Sequence, residues 1–416
     1  MESRNRKGWL AVLGCALGIF WSGAMAFGYP GVMRAYWQQT FQVGPGGTGL
    51  VVTFMLVSLA VFMFFTGKWH LKIGMRKCLI IGTVFVVIAM LLLNSAKNIY
   101  MVYAWAFVVN IGCSFIYGPG LATVQQWFPQ RRGLVSGIIN LVFGISAAIM
   151  SPILNILLNN FGYINMNYIV MVAIVITNLV AATVAEVPDK ANLSEEERAA
   201  HEQILAELAE KAKSSSGPQV ILNAMTVGQA LKTKSFWLIW LTWVFMGAAG
   251  ISMITLSTLY TGALGLGLAG VTVLTTFNIT NGISRIIAGF LSDIIGGQKT
   301  GCFSFILAAI GYFMLSHVSG LLGIAVFAAF IGYGFGTLFA ITPPLASGIF
   351  GLKYFGMIFG LIFTAYGLIA GIVGPALAGY VLQLTSNNFT IVFTYLAIFA
   401  LLGAFLIMLV KPVKSN

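Results

Sequence analysis

One arginine in the second half of the chain is isolated among apolar and small residues. Arg285 lies in NITNGISRIIAGFLSDIIGG, from Asn278 to Gly297, and it is the only charged residue between Lys234 and Asp293. A guanidinium presents a planar fork of N–H donors that matches a carboxylate through two parallel hydrogen bonds. Ionisable groups in membrane segments are costly and commonly mark a substrate pathway. This position therefore predicts reversible binding of an anion.

The alternative interpretation of Arg285 is structural. It lies about 9 Å inside the predicted end of its segment, so it could snorkel towards the surface or pack between helices. No acidic residue lies in the interior of any apolar segment, which favours an anion that arrives and leaves. Asn281 is one helical turn earlier on the same face. Its amide is predicted to orient the guanidinium or to bind substrate; a bond to a neighbouring backbone is the alternative.

The segments that position these residues are those of a membrane protein. Hydrophobic residues make up 59% of the chain and charged residues 8%, whereas a soluble chain has about half and a quarter. A bilayer core of about 30 Å needs about 20 apolar residues per helix. The net charge of +12 comes from short loops, a pattern of membrane topology rather than of nucleic-acid binding. The predicted spans are 9–37, 46–66, 78–95, 100–128, 133–159, 165–186, 235–263, 269–291, 301–317, 321–349, 354–383 and 389–410.

The spans divide the chain into two predicted six-helix bundles, at 1–186 and 235–416, joined by a charged linker at 187–234. The linker carries a capping-box pattern, Ser194 followed by Glu197, which predicts a helix at the membrane surface. The excess of lysine and arginine in alternate loops places both termini in the cytoplasm.

The two halves also repeat. GKWHLKIGMRK begins at Gly67 and GFLSDIIGGQK begins at Gly289, and both place glycine first and eighth and lysine eleventh. A second pair is RRGLVSGI, from Arg131, and KYFGMIFGLI, from Lys353. Duplication of a six-helix unit is typical of secondary transporters, whose substrate site lies near the midplane between the repeats.

The loop from Gly289 resembles the G-x-x-x-D-x-x-G-x-x-K/R loop of the major facilitator superfamily. Leu71 stands at the acidic position of its first-half counterpart, in departure from that pattern. Three stretches resemble the oxalate:formate antiporter and monocarboxylate transporter branch: IYGPGLATVQQWFPQRRGLVSGI, LKTKSFWLIW and NGISRIIAGFLSDIIG. The resemblance implies an all-α integral membrane fold of twelve transmembrane helices in two pseudo-symmetric halves. It also implies that Arg285 binds the substrate carboxylate and that Tyr117 contributes to the pocket.

Aromatic residues are further candidates for the pocket, and core packing is the alternative for each of them and for Tyr117. They are Tyr333, Tyr366, Phe27, Phe143 and Phe335. The loops that brace the cytoplasmic side are predicted to change contacts during alternating access. The gating candidates are Asp293, Gly289, Arg131 and Arg132.

Charge matching gives the expected substrate. In the resembled antiporter a lysine in the eleventh helix supplies a second cation, and alignment places Ile362 near that position. A second buried carboxylate would then lack a partner. The sequence therefore predicts a small monocarboxylate, such as lactate, pyruvate or formate. Proton symport is favoured by the resemblance, and antiport of the oxalate and formate type is the alternative.

An integral membrane enzyme and a channel are the other classes considered. The three histidines are far apart, and the sequence has neither HExxH nor HxxxH, so we expect no catalytic residue, metal or cofactor. His70 and His317 are predicted near opposite membrane faces, away from a central proton site. The four cysteines are predicted to pack in the core. We expect a monomer in the cell membrane whose partners are an organic anion, a proton and the bilayer, without nucleic acid.

Overall fold

The computed structural model describes residues 2–188, 192–214, 224–266, 271–318 and 320–411. Its regular structure over these ranges is helical, as predicted. The helices are α1 Glu2–Gly23, α2 Tyr29–Phe41, α3 Pro45–Asn94, α4 Ile99–Trp127, α5 Arg132–Val184, α6 Glu195–Ser214, α7 Val227–Leu231, α8 Lys234–Ala263, α9 Val271–Ile295, α10 Gly297–Leu315, α11 Leu321–Phe350, α12 Phe355–Thr364, α13 Gly371–Leu384 and α14 Phe389–Leu409. Two π-helical segments, Ala24–Gly28 and Ala365–Ala370, join α1 to α2 and α12 to α13.

Nine helical runs in the described ranges are long and apolar enough to cross a membrane. Two of these runs are pairs of helices, because α3 breaks at Gly74 and α5 breaks at Gly162. Their φ angles of 76° and 74° lie in the left-handed region, which favours glycine. With α9, a helix of 25 residues, these runs account for the twelve predicted membrane segments.

Two predicted loops are largely helical. Residues 67–73 continue α3 as far as Gly74, and residues 289–295 continue α9, so Asp293 lies in the last helical turn. These two helical stretches end at Gly74 and Gly296, and both glycines have a positive φ, which is 89° at Gly296. Hydropathy marks only where a helix leaves the hydrocarbon, and a helix can extend beyond that level. The helices therefore extend beyond the predicted membrane-segment ends at 66 and 291, which remain predictions of where the chain leaves the hydrocarbon.

Contacts between Cα atoms divide the chain into two compact units. The first contains the described residues of 1–130, 142–214 and 352–361, and the second those of 131–141, 215–351 and 362–416. The amino-terminal turns of α5 thus belong to the second unit, and those of α12 belong to the first. In the second unit α11 packs against both α9 and α10. The bundle boundaries proposed from the sequence remain predictions.

The predicted linker helix is present as α6, and its capping box is confirmed. The Ser194 backbone N–H donates to Glu197 Oε2 at 3.0 Å, and the Glu197 backbone N–H donates to Ser194 Oγ at 3.3 Å. Glu197 also accepts hydrogen bonds from Lys7 Nζ, at 2.7 Å, and from Ser3 Oγ. Within the first unit α6 is therefore fixed to the start of α1. Residues 189–191 and 215–223 of the linker lie outside the described residues.

A histidine on α6 makes the second contact with α1. Arg4 donates through Nε and Nη2 to His201 Nδ1, at 3.2 and 2.7 Å, and through Nη2 to the Trp127 carbonyl at 2.7 Å. An accepting Nδ1 requires a neutral imidazole. Burial, followed by the charge of Arg4, lowers the pKa of His201 from 6.5 to about 4. Hydrogen bonds from Lys7, then Ser3 and Ser194, lower the pKa of Glu197 from 4.5 to about 2.

We expect acid to release α6 from α1. Both folded-state pKa values are depressed. The contribution of His201 to holding α6 on α1 is therefore complete above pH 6.5, and it decreases as the pH falls from 6.5 towards 4. Glu197 extends the loss from pH 4.5 towards pH 2. Hydrogen exchange of the α6 amides, corrected for the intrinsic rate at each pH, should show less protection at pH 4.5 than at pH 7.

His201→Gln is the matched variant for this measurement, because glutamine keeps an acceptor for Arg4 and does not titrate. It should remove most of the change between pH 7 and pH 4.5, whereas Gln203→Ala, on an exposed position of the same helix, should not. Equal protection of α6 in the unmodified protein at both pH values would contradict the titration account.

Candidate functional site

The Arg285 guanidinium is buried in the second unit, with the residue only 4% exposed. Its Nη1 donates to the backbone carbonyl of Asn140, on α5, at 2.7 Å. Its Nε and Nη2 both donate to Asn281 Oδ1, at 3.3 Å each. The spacing of one helical turn thus brings Asn281 to the guanidinium, as the sequence predicted. The two bonds to Asn281 are longer than the 2.7–2.9 Å typical of a charge-assisted bond to a carboxylate.

Aromatic rings form the apolar surroundings of this guanidinium. The Arg285 Cζ lies 4.6 Å from the ring centroid of Phe339, a cation–π distance. The Phe339 ring is 5.5 Å from Tyr366 and 4.9 Å from Trp243. Phe335, one turn before Phe339 on α11, is 6.4 Å from Tyr366. Among the predicted residues of the second unit, Arg285, Asn281, Tyr366 and Phe335 therefore belong to one cluster.

Tyr333 is on a different face of α11. Its side chain lies beside Ser304 of α10, and it precedes Phe335 by two residues, about 200° around a helix. The structure therefore does not bring Tyr333 to the Arg285 cluster. A glycine-rich helix can pack closely against neighbours on several sides, so its sequence did not identify the face on which this tyrosine lies.

The other predicted aromatic residues form a cluster of their own in the first unit. Phe143 lies 4.9 Å from Tyr117 and 5.9 Å from Phe27, measured between ring centroids. Tyr117 and Phe143 are buried, and Phe27 is 37% exposed. Phe27 and Tyr366 each lie in a π-helical segment. Such segments are rare and frequently occur at functional sites.

Three residues of the Arg285 cluster, Phe339, Trp243 and Asn140, were not identified from the sequence. Phe339 follows Phe335 by one helical turn, and that spacing was an available signal. Asn140 is an isolated amide within the apolar run of α5, and that isolation was also visible in the sequence. Its proximity to Arg285 was not visible, because it depends on the packing of α5 against α9.

The predicted gating residues meet at the start of α5. Asp293 Oδ1 accepts the Gly133 backbone N–H at 2.7 Å, and Oδ2 accepts that of Leu134 at 2.9 Å. A carboxylate at this position satisfies unpaired amides of the helix and favours its dipole. Arg131 and Arg132 lie near the same carboxylate, and Gly289 packs directly on Gly133. Their role in gating remains a prediction.

Comparisons with known proteins identify the class. The profile of the Major Facilitator Superfamily matches residues 15–368 and 270–416. The chain resembles the solved proton:xylose symporter XylE bound to 6-bromo-6-deoxy-D-glucose, with a TM-score of 0.74, 13% identity, and coverage of 98% of this chain and 97% of that one. It resembles the E. coli fucose:proton symporter FucP with a TM-score of 0.70, 13% identity, and coverage of 97% and 98%. The fold is therefore that of a membrane transporter.

The chain belongs to the Major Facilitator Superfamily, and it is an integral membrane protein and a secondary transporter. It is 25% identical over 351 residues to the oxalate:formate antiporter of Oxalobacter formigenes, covering 83% of this chain and 78% of that protein. It is 26% identical over 151 residues to monocarboxylate transporter 9 of Mus musculus, covering 34% of this chain and 29% of that protein. The predicted resemblance to this branch of the superfamily is confirmed.

Removal of the Asp293 carboxylate should loosen the start of α5. Loss of a helix cap costs about 1 kcal/mol, so amide exchange at Gly133 and Leu134 should become several-fold faster in Asp293→Ala. Hydrogen exchange of the purified protein measures this effect. Thr276→Ala is the control, because its hydroxyl donates to the Thr272 carbonyl of the same helix, away from Gly133. Unchanged protection at Gly133 in Asp293→Ala would show that the carboxylate does not hold this helix end.

Proposed function

We propose that this protein transports small monocarboxylates, such as lactate or pyruvate, across the cell membrane, and that Arg285 binds the carboxylate. The observation that carries the proposal is a buried guanidinium held by an amide oxygen, a backbone carbonyl and an aromatic ring. These groups orient the fork without neutralising its charge.

The Nε and Nη2 edge of Arg285 is the place for the carboxylate in this proposal. Asn281 Oδ1 receives both N–H groups there, at 3.3 Å each. A carboxylate offers two oxygens in the plane of the fork and makes shorter, stronger bonds than a single amide oxygen. Displacement of Asn281 by the substrate would therefore be favourable. After the substrate leaves, Asn281 Oδ1 would again accept both hydrogen bonds from Nε and Nη2.

The size and charge of the substrate follow from the same surroundings. Phe339, Tyr366 and Trp243 supply an apolar wall beside one cation, which suits a small organic tail on one carboxylate. Ile362, one turn before Tyr366, is fully buried and uncharged. A second carboxylate would have to lose its water without gaining an opposite charge from this position.

In this proposal, transport of the anion is coupled to protons. Both chain termini lie in the cytoplasm, and the functional unit is a monomer. The ten acidic residues are Glu2, Asp293 and eight residues between 186 and 210. An acidic relay in the middle of the membrane is therefore not part of the proposal, and the proton would cross with the bound substrate. Antiport of the oxalate and formate type is the second candidate, supported by the similarity to the Oxalobacter formigenes protein.

Arg285→Lys tests the carboxylate anchor. The charge is kept but the planar fork is lost, and a charge-assisted hydrogen bond contributes about 1.5–3 kcal/mol, so uptake efficiency should fall by about tenfold or more. Initial rates of labelled lactate uptake into proteoliposomes, normalised to protein content, measure the effect. Arg34→Lys, at an exposed position on α2, should retain normal uptake. Near-normal uptake by well-inserted Arg285→Ala would refute the anchor.

Selectivity for one charge can be tested by competition. Unlabelled pyruvate should inhibit lactate uptake strongly, and oxalate should inhibit it weakly, because the second carboxylate has no matching cation. Ile362→Lys should weaken lactate uptake and improve inhibition by oxalate, whereas Ile362→Met should change neither greatly. Oxalate inhibition equal to that of pyruvate, together with rapid oxalate exchange, would favour the antiporter.

A further inference from the structure

The amino-terminal turns of α5 lie directly against α9 at the level of Arg285. A Cβ atom on Gly137 would overlap the backbone carbonyl oxygen of Arg285. Only a residue without a side chain allows this approach, since real Cβ atoms do not come so close to a carbonyl oxygen. Asn140 follows Gly137 by almost one helical turn, so this contact places it beside the guanidinium.

Asn140 binds its surroundings through both its main chain and its side chain. Its carbonyl oxygen accepts from Arg285 Nη1 at 2.7 Å. Its Nδ2 donates to the carbonyl oxygens of Ser136, at 2.8 Å, and Phe339, at 3.1 Å. One asparagine therefore contacts the guanidinium and also the residue whose ring lies 4.6 Å from the guanidinium carbon.

The Phe339 carbonyl has a specific need for this donor. In a regular α-helix it would accept the backbone N–H four residues later, but residue 343 of α11 is proline. Pro343 has no N–H, so the helix cannot satisfy this buried carbonyl in the usual way. The Asn140 amide, on another helix, supplies the hydrogen bond that Pro343 cannot.

We propose that Asn140 is a positioning residue for anion binding. It fixes Nη1 of Arg285 through its carbonyl and holds the Phe339 main chain, which carries the ring beside the guanidinium, through its side chain, so that the Nε and Nη2 edge is presented to a planar carboxylate. This inference rests on the proposed function of Arg285. Asparagine suits the role because its amide has two N–H donors for two carbonyls. Aspartate has the same shape without those donors, and leucine has a similar volume without any polar atom.

Two substitutions separate positioning from packing. Asn140→Leu should raise KM for lactate by about tenfold, with a smaller change in maximal rate, because a misplaced fork loses one charge-assisted bond. Asn140→Asp places an anion beside the Ser136 and Phe339 carbonyls and near Arg285, where it competes with substrate. Its protonated form regains one donor. Its uptake, relative to the unmodified protein at each pH, should therefore recover as pH falls.

A third variant tests the link to α11. Pro343→Ala supplies the N–H that the Phe339 carbonyl lacks, so the side chain of Asn140 becomes partly redundant. The KM defect of Asn140→Leu should be smaller in the Pro343→Ala background than in the unmodified background. Additive effects of the two changes would indicate that the amide does not act through the Phe339 carbonyl, and would overturn this part of the inference.

Asn178 provides the matched control, because it is a buried membrane-helix asparagine that donates to Thr83 Oγ1, at 2.9 Å, in the first unit. Asn178→Leu and Asn178→Asp should affect protein amount or maximal rate without the KM increase or the acid recovery. Asn140 variants that behave like the Asn178 variants would overturn the positioning role. If Asn140→Leu inserts poorly into the membrane, the pH profile of Asn140→Asp alone decides between a positioning role and a packing role for Asn140.

The same assays distinguish this inference from the proposed function. If Arg285→Ala transports lactate normally, the carboxylate anchor itself is wrong. If Arg285→Ala is inactive while the Asn140 variants keep the KM and pH profile of the unmodified protein, Arg285 remains the anchor and only the positioning role of Asn140 is wrong.

Discussion

A guanidinium inside an apolar helix bundle must replace its lost water with protein hydrogen bonds, and the second unit meets this requirement with neutral groups. Burial of an uncompensated charge is among the most costly events in a protein. Arg285 obtains an amide oxygen from its own helix, a carbonyl from α5 and an aromatic face from α11. Neutral oxygens and a ring stabilise the cation while leaving it attractive to an anion, which is the property that a reversible binding site needs.

Close helix packing is what makes backbone carbonyls available for this purpose. Gly137 brings α5 onto α9, and a Cβ on Gly336 would lie 2.8 Å from Asn281 Oδ1, so α11 also approaches α9 through a glycine. Small residues at helix interfaces are typical of membrane proteins, where close packing contributes much of the association energy. Here they have a second effect, since they bring main-chain oxygens within hydrogen-bonding distance of a side chain. Pro343 adds to the same arrangement by leaving a carbonyl to be satisfied from another helix.

The sequence repeat is also visible as a repeated contact, with one chemical difference. Gly289 packs on Gly133 in the second unit, and Gly67 packs on Gly356 in the first. Four residues after Gly289, Asp293 caps α5 with both carboxylate oxygens. Four residues after Gly67 stands Leu71, which is 44% exposed and has no acceptor to offer. The duplicated units thus keep the backbone contact but not the charged cap.

The sequence by itself determined the membrane class, the helical segments and the isolation of Arg285 among apolar residues, because each depends on local composition or on one unusual residue. The Asn281 contact was also predictable, since residues one turn apart on a helix must be neighbours. The helices extend beyond the predicted membrane-segment ends at 66 and 291, because hydropathy does not mark where a helix stops. The sequence could not show which aromatic candidates lie in the Arg285 cluster: Tyr366 lies beside Arg285, whereas Tyr333 faces α10. Tertiary structure alone decided that Asn140, 145 positions before Arg285, binds the guanidinium. That contact arises from two glycine-lined helices meeting at one level, and no periodicity within either helix encodes it.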